Sequence, residues 1–321
     1  MEQPDLIYYT DDRPGITRRR AGRGWTYRAP DGTRIDDATE RARIDALAVP
    51  PAYADVWICP KRRGHLQATG RDTRSRKQYR YHPDWSAWRA ATKFGGLAEF
   101  GAALPRLRRQ VTEALRTAPG GRDFAIAAIL RLIDRSSMRI GDEGYRAENG
   151  TEGATTLRAR NLRVKDGQIS LDWTAKGGKR VRRQISDRTL GRALHALQDL
   201  PGAPLFEWVE GGTPHQVHAD MVNAWLQDAT EVPHATAKTF RTWNGSVAAL
   251  DAARAAGDGV TIRAMAEAAA EALHNTPAIA RESYVHPDVI ALAEDWRDPR
   301  VPEGPAGLRV GERALLALLD G

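Results

Sequence analysis

Tyr284 closes the stretch HNTPAIARESY at residues 274–284. A phenol in that position is either a core side chain at the end of a helical segment or a nucleophile. The polar pair His274 and Asn275, just ahead of Thr276-Pro277, raises the question of which neighbour would serve it. Three other stretches each set a cation at a marked position. SSMRIGDEGY places Arg139 where an apolar helix ends, before Gly141, and TAKGGK places Lys176 at a tight β-turn. TAKTFRTWNGS carries Lys238 and Arg241 three residues apart on one helical face. Singly, each has an ordinary reading: arginines at helix ends satisfy carbonyls, lysines beside turns are solvated, and tyrosines pack.

A second cationic region lies near the amino terminus. Between Pro60 and Lys93 the only acids are Asp72 and Asp84, against a run of Lys and Arg interleaved with Tyr79, Tyr81, Trp85 and Trp88. Basic side chains meet phosphates, and planar rings stack or donate hydroxyls. In KQYRYHP, Tyr79 and Tyr81 fall on one face of a strand. The whole chain of 321 residues carries a net charge of +7, which favours polyanionic partners. One cysteine, Cys59, excludes a disulfide framework or a cysteine metal cluster. No apolar run approaches the roughly 18 residues of a membrane span, and the polar start is unlike a signal peptide. The expected setting is a reducing cytoplasm.

The elements that must position these residues fall into two parts, with a boundary in the window 86–96 and domains at 1–90 and 91–321. The first part reads as strands and turns. GWTYRAPDGTRI is a hairpin signal around Pro30-Asp31-Gly32, ERARIDALAVP a short helix, and DVWICP a buried strand. The second part is mainly helical. LPRLRRQVTEAL is expected to begin near Pro105, and DFAIAAILRLIDRSSM to be capped by Asp123. Residues 155–185 break the pattern with a small antiparallel sheet turning at Lys165-Asp166-Gly167 and at Gly177-Gly178. Helices then cover 186–200, 214–230, 235–256 and 261–273. A Pro- and Gly-rich tail spans 295–307, and a last helix spans 311–319.

In this order and wording, the motifs resemble the type IB DNA topoisomerases of the poxvirus and bacterial kind. The resemblance covers most of the chain. MRIG with the following GTEGATTL resembles the segment of the first catalytic arginine, Arg139, and TAKGGK the hairpin of the catalytic lysine, Lys176. AKTFRTW resembles the segment of the second arginine, Arg241, and NTPAIARESY the segment leading to the nucleophile, Tyr284. GRDTRSRKQYRYHP resembles the DNA-contacting motif, which puts Gln78, Tyr79 and Tyr81 on the duplex; Tyr145 and Lys238 are expected to contact DNA as well. The family usually has histidine directly before Thr-Pro, where this chain has Asn275. A shift by one residue turns a helical side chain by about 100°. The role therefore passes to Asn275 and not to His274. An amide can donate to a phosphate oxygen but cannot carry charge or shuttle a proton.

The resemblance implies an α+β chain, with a small antiparallel β-rich amino-terminal domain and a larger mainly helical catalytic domain. It implies transesterification: Tyr284 attacks a phosphodiester, a 3′-phosphotyrosyl bond forms, the strand rotates, and the 5′-hydroxyl reseals it. The expected partner is duplex DNA, preferably supercoiled, clamped by a monomer associated with the nucleoid. Asp142 and Glu143 read as surface acids, so no metal is expected. No phosphate loop followed by Lys-Ser/Thr is present, so neither ATP nor another cofactor is expected. A tyrosine recombinase or integrase shares the catalytic set. Such proteins usually have His-x-x-Arg where Lys238 and Arg241 stand, and a helical amino-terminal domain. A non-catalytic DNA-binding relative is the remaining alternative.

Overall fold

Strand signals are concentrated in the first ninety residues and helical periods in the rest. A computed structural model describes residues 3–22, 24–200, 204–299, 301, 303 and 306–320. Contacts within the chain separate two compact units, Met1–Gly95 and Gly96–Gly321.

The first unit holds β1 (Ile16–Ala21), β2 (Gly24–Arg28), α1 (Ala38–Ala46), β3 (Ala54–Ile58), β4 (Leu66–Arg71), β5 (Lys77–Tyr81) and α2 (Pro83–Ala91). Its strands form one antiparallel sheet in the order β2-β1-β3-β4-β5. Ile16, Tyr27, Val56, Ile58 and Ala68 from the sheet bury against Ile44 of α1. Asp37 starts α1 by accepting from the Glu40 N–H at 2.8 Å. The Pro30-Asp31-Gly32 turn forms, but its return leg is a single bridge from Arg28 to Arg34. β2 pairs with β1 instead. The sequence hides β1 because ITRRRA buries only Ile16 and shows no apolar alternation.

The second unit contains α3 (Leu97–Ala114), α4 (Arg122–Ser136) and α5 (Glu143–Asn149). A three-stranded antiparallel sheet follows, β6 (Leu162–Lys165), β7 (Gln168–Ala175) and β8 (Lys179–Ser186). Next come α6 (Arg188–Gln198) and a hairpin of β9 (Glu207–Glu210) and β10 (Thr213–Gln216). The remaining helices are α7 (Ala219–Thr230), α8 (Ala237–Ala256), α9 (Ile262–Leu273), α10 (Pro277–Tyr284), α11 (Pro287–Ala291) and α12 (Val310–Asp320). The chain is thus α+β, as expected. α4 is buried on nearly every side from Phe124 to Ile133, which makes it the central helix.

Several local expectations change. Pro105 lies inside α3, which begins after Gly96. Burial of Leu97, Phe100, Gly101 and Leu104 offsets the hydrogen bond that proline cannot donate. Gly121, not Asp123, occupies the cap of α4; Asp123 sits in the first turn, where its charge complements the helix dipole. Residues 214–216 are strand β10 rather than helix, because Gly211 and Gly212, at φ 56° and 82°, turn β9 back on itself. Arg139 does not end α4 but follows it by three residues. Of the expected tail, residues 300, 302, 304 and 305 lie outside the described residues. α12 packs on α3 and α8 of the second unit.

Candidate active site

α8 organises the site, and neighbouring residues between Arg241 and Ser246 have separate tasks. Trp243, fully buried, presses on α3 where Gly101 leaves room; a Cβ there would lie 2.2 Å from the indole. Asn244 donates to the Asp134 carbonyl at 3.2 Å and to the Ser137 hydroxyl at 3.0 Å, tying α8 to the end of α4. Gly245 gives space to Tyr284, whose carbonyl would be 2.9 Å from an added Cβ. Ser246 donates to that same carbonyl at 3.3 Å. Arg241, only 3% exposed, donates through Nη1 to the Ser137 carbonyl and through Nη2 to the Leu273 carbonyl at 3.2 Å. Its guanidinium lies over the Tyr284 ring, 4.8 Å from the centroid.

Tyr284 reaches this place as the last residue of α10. Thr276 caps it by accepting from the Ile279 N–H at 3.4 Å, and Pro277 takes the first turn. α9 stops one step earlier, with His274 in the left-handed region at φ 51°. Arg139 is fixed by its backbone. Its carbonyl accepts from the Ala154 N–H at 2.8 Å, and the Ile140 carbonyl from the Thr155 N–H at 2.7 Å. Gly141 and Gly153 lie face to face; a Cβ on Gly153 would stand 2.5 Å from the Gly141 Cα. This contact is the physical content of the words RIG and GTEGATT.

Lys176 stands exposed at the β7–β8 turn, its Nζ 5.8 Å from the Tyr145 ring centroid. One small cavity brings Lys176 together with Arg139, Arg241 and His274, over a floor of Trp173 and Leu273. His274 is committed there. Its Nε2 lies 3.0 Å from Nη1 of Arg183, and Trp173 meets its ring edge-on at 5.9 Å. Asn275 differs: its Nδ2 is buried and has no hydrogen-bond partner. The carboxylate on the lining, Glu152, accepts from Asn161 at 2.8 Å and sits 3.8 Å from Arg160.

The electrostatics follow from cations gathered beside a single lining carboxylate, Glu152, whose partners are Asn161 and Arg160. Among the described residues, no carboxylate lies within ion-pair distance of Arg139, Arg183 or Arg241. Burial pulls Arg241 down to about 10, and the charge of Arg139 adds to that. Burial alone would raise the Tyr284 phenol. The charge and hydrogen bond of Arg241, with Arg139 and Lys238, outweigh it and hold the phenol below its ordinary value. His274 is pushed down to about 4, first by burial and then by Arg183, Lys179, Arg241 and Arg139. Lys238 is exposed on the first turn of α8. Asp142 caps α5 by accepting from the Tyr145 N–H at 2.7 Å, and Glu143 pairs with Arg146.

In the first unit, Tyr79 and Tyr81 project from β5 as parallel rings, with centroids 6.1 Å apart and faces exposed. Gln78 donates to Asp72 at 3.1 Å. Sequence reasoning missed Arg183, Asn244, Gly245 and Ser246. Asn-Gly in mid-helix was the available signal, since both residues disfavour a helix interior.

Comparison with known families gives two matches. The model described as bacterial DNA topoisomerase IB, N-terminal domain, matches residues 24–72. The model described as eukaryotic DNA topoisomerase I, catalytic core, matches residues 82–280. Arg139, Lys176, Arg241 and Asn275 fall inside that second match; Tyr284 lies just past it, and Gln78, Tyr79 and Tyr81 lie between the two. DNA topoisomerase 1B of Acanthamoeba polyphaga mimivirus is 26% identical over 238 residues, covering 73% of this chain and 70% of that protein. DNA topoisomerase 1 of Daucus carota is 30% identical over 152 residues, covering 44% of this chain and 18% of that protein. Among solved structures, the post-cleavage complex of XerH site-specific recombinase with palindromic difH aligns with a TM-score of 0.39 and 14% identity. That alignment covers 59% of this chain and 49% of the recombinase chain.

Proposed function

The chain belongs to the type IB DNA topoisomerases, and we propose that Tyr284, Arg139, Lys176, Arg241 and Asn275 carry out its chemistry. The enzyme nicks one strand of duplex DNA through a 3′-phosphotyrosyl intermediate, lets the strand rotate, and reseals it. The phosphotyrosyl bond keeps the energy of the broken diester, so resealing draws on no other source.

Tyr284 Oη attacks phosphorus, losing its proton to solvent water as the new P–O bond forms and the bond to the 5′-oxygen breaks. The cations that lower the phenol ease that loss. Negative charge gathers on the non-bridging oxygens in the transition state. Arg139 and Arg241 meet it with permanently charged forks, and Asn275 adds a neutral donor. The departing 5′-oxygen needs a proton, which Lys176 supplies. Resealing reverses each step. Gln78, Tyr79 and Tyr81 of the first unit, with Tyr145 and Lys238 of the second, contact the duplex. The enzyme works as a monomer on supercoiled DNA in the bacterial cytoplasm, close to the nucleoid.

The observation that carries this reading is the meeting of Arg139, Lys176 and Arg241 on one cavity, with the Tyr284 ring beneath the Arg241 guanidinium. The test is relaxation of supercoiled plasmid in EDTA without ATP, followed by trapping of the covalent adduct in denaturant. Tyr284→Phe should bind DNA and trap nothing; an adduct that persists would refute the nucleophile. Asn275→Ala, rather than His274→Ala, is expected to lose about tenfold or more in cleavage whatever the leaving group.

A further inference from the structure

We infer that Arg183, braced by His274, positions the Lys176 hairpin for proton transfer to the leaving strand. This inference rests on the assignment of Lys176 as the acid. Lys176 is exposed, and it is followed by Gly177 and Gly178, both at positive φ (87° and 77°), where an added Cβ would meet nothing within 4 Å. Such a tip bends readily. The stem of the hairpin must therefore set where the ammonium goes.

Arg183 anchors that stem. It sits on β8 opposite Leu171 of β7, and its guanidinium leaves the sheet. Nη1 reaches the Ser136 carbonyl at 2.8 Å and the Ala272 carbonyl at 3.1 Å. Those carbonyls lie at the carboxy-terminal ends of α4 and α9, where partial negative charge accumulates. Arg139 follows the first helix and Asn275 the second. One side chain thus joins the three segments that bring Lys176, Arg139 and Asn275. Arg241 spans the same two helix ends one residue further along each, at Ser137 and Leu273.

His274 completes the latch. A guanidinium has only donors, so the imidazole Nε2 at 3.0 Å faces it as an acceptor, sharing the two Nη1 hydrogens with the two carbonyls, and the ring proton resides on Nδ1. Trp173 of β7 rests edge-on against the same ring, so both strands of the hairpin lean on His274. Burial and the surrounding cations, Arg183, Lys179, Arg241 and Arg139, keep the imidazole neutral and able to accept.

The test replaces the bridging 5′-oxygen at a mapped cleavage site with sulfur. A thiolate departs without a proton, so a misplaced acid no longer matters, while a lost phosphate contact still does. Single-turnover cleavage by Arg183→Gln is expected to fall about tenfold or more on ordinary DNA and to return to within about threefold of the parent on the sulfur substrate. Lys176→Ala must show the same asymmetry. If Lys176→Ala stays slow on sulfur, the acid assignment falls and the positioning role falls with it. If Lys176→Ala recovers while Arg183→Gln is equally slow, or equally fast, on both substrates, only the positioning role falls. His274→Ala leaves Arg183 its two carbonyls and should show a smaller loss with the same recovery. Should Arg183→Gln fail to fold, His274→Ala decides: recovery on sulfur supports the latch, and no recovery or no loss removes it.

Discussion

Arg108 and Arg241 both bring a guanidinium to the carboxy-terminal end of α4, yet one meets carboxylates and the other carbonyls and a phenol. Arg108 forks onto Asp134 at 2.8 and 2.9 Å and onto Glu312 at 2.7 and 2.9 Å. Glu312 is fully buried and also accepts from Arg309, which stitches α12 to the helical unit. Arg241 has the Ser137 and Leu273 carbonyls, the Tyr284 ring, and a buried Nε with no partner. Burial weighs on both groups. Bonds to Glu312 and Asp134 outweigh it and raise Arg108, while burial wins at Arg241 and lowers it. On the proposed assignment of Arg241, the difference separates scaffold from site. Charge answered within the protein fastens elements together. Charge facing only dipoles is preorganised for an anion that arrives later.

The largest expected effect tests the scaffold half of that contrast. Arg108→Ala takes the main partner from both Asp134 and Glu312, leaving Arg309 as their remaining cation, and should lower the unfolding free energy by about 3–5 kcal/mol, read from urea melts. Its folded fraction should cleave DNA at nearly the parent rate. A loss below about 1 kcal/mol would place the network with surface pairs and dissolve the contrast. Arg241→Ala tests the other half. It should cost about 10²–10³ in single-turnover cleavage, the scale of a lost oxyanion donor, with a smaller loss of stability than Arg108→Ala. A variant that unfolds as readily as Arg108→Ala would show Arg241 to be scaffold.

Acid sharpens the contrast further. Burial opposes ionisation of Glu312, but Arg108 and Arg309 prevail and hold its carboxyl far below the ordinary range. In the unfolded chain the same carboxyl titrates near its usual value of about 4.3. Its contribution to stability is therefore complete above that value, and it drains away as pH falls toward the folded value, because the unfolded state takes up the proton first. Asp187, paired with Arg131 and Arg135, acts in the same direction, so the comparison must be a difference. Glu312→Gln should lose less stability than the parent as pH drops below about 4.3. Parallel curves would mean that the network does not carry the acid sensitivity.

The residues of the candidate site were easier to pick out in the sequence than the contacts that bring them together. Arg139, Lys176, Arg241 and Tyr284 stand in short local wordings. Asp166-Gly167 and Gly177-Gly178 marked the sheet, since their backbone needs positive φ. What stayed hidden depends on partners distant in sequence. Pro105 reads as a helix start until the burial of Phe100 and Leu104 is known. Arg183 looks like one more surface arginine in KRVRRQI, because nothing local reveals that it spans to Ser136 and Ala272. Glu312 lies in an apolar helix beyond Leu308, and its partner Arg108 is about two hundred residues away.

The smallest effect comes from a contact without side chains. Gly153 has φ −137°, a conformation open to any residue, so Gly153→Ala brings no backbone strain. Space is the only obstacle: the new Cβ would lie 2.5 Å from the Gly141 Cα and N, and 2.7 Å from the Arg139 carbonyl. Backbone atoms cannot swing aside as a side-chain end can. The segment must shift, and the cost of such overpacking is about 1–3 kcal/mol. The shift is borne by the carbonyl that holds Arg139 through the Ala154 N–H. Cleavage should therefore fall by about tenfold, less than for removal of Arg241, since a misplaced donor still acts at longer range. Lys176 sits on a different element, so the loss should persist on the sulfur substrate. Recovery there would mean that Gly153 supports the acid, and that the two cationic arms of the site are mechanically one.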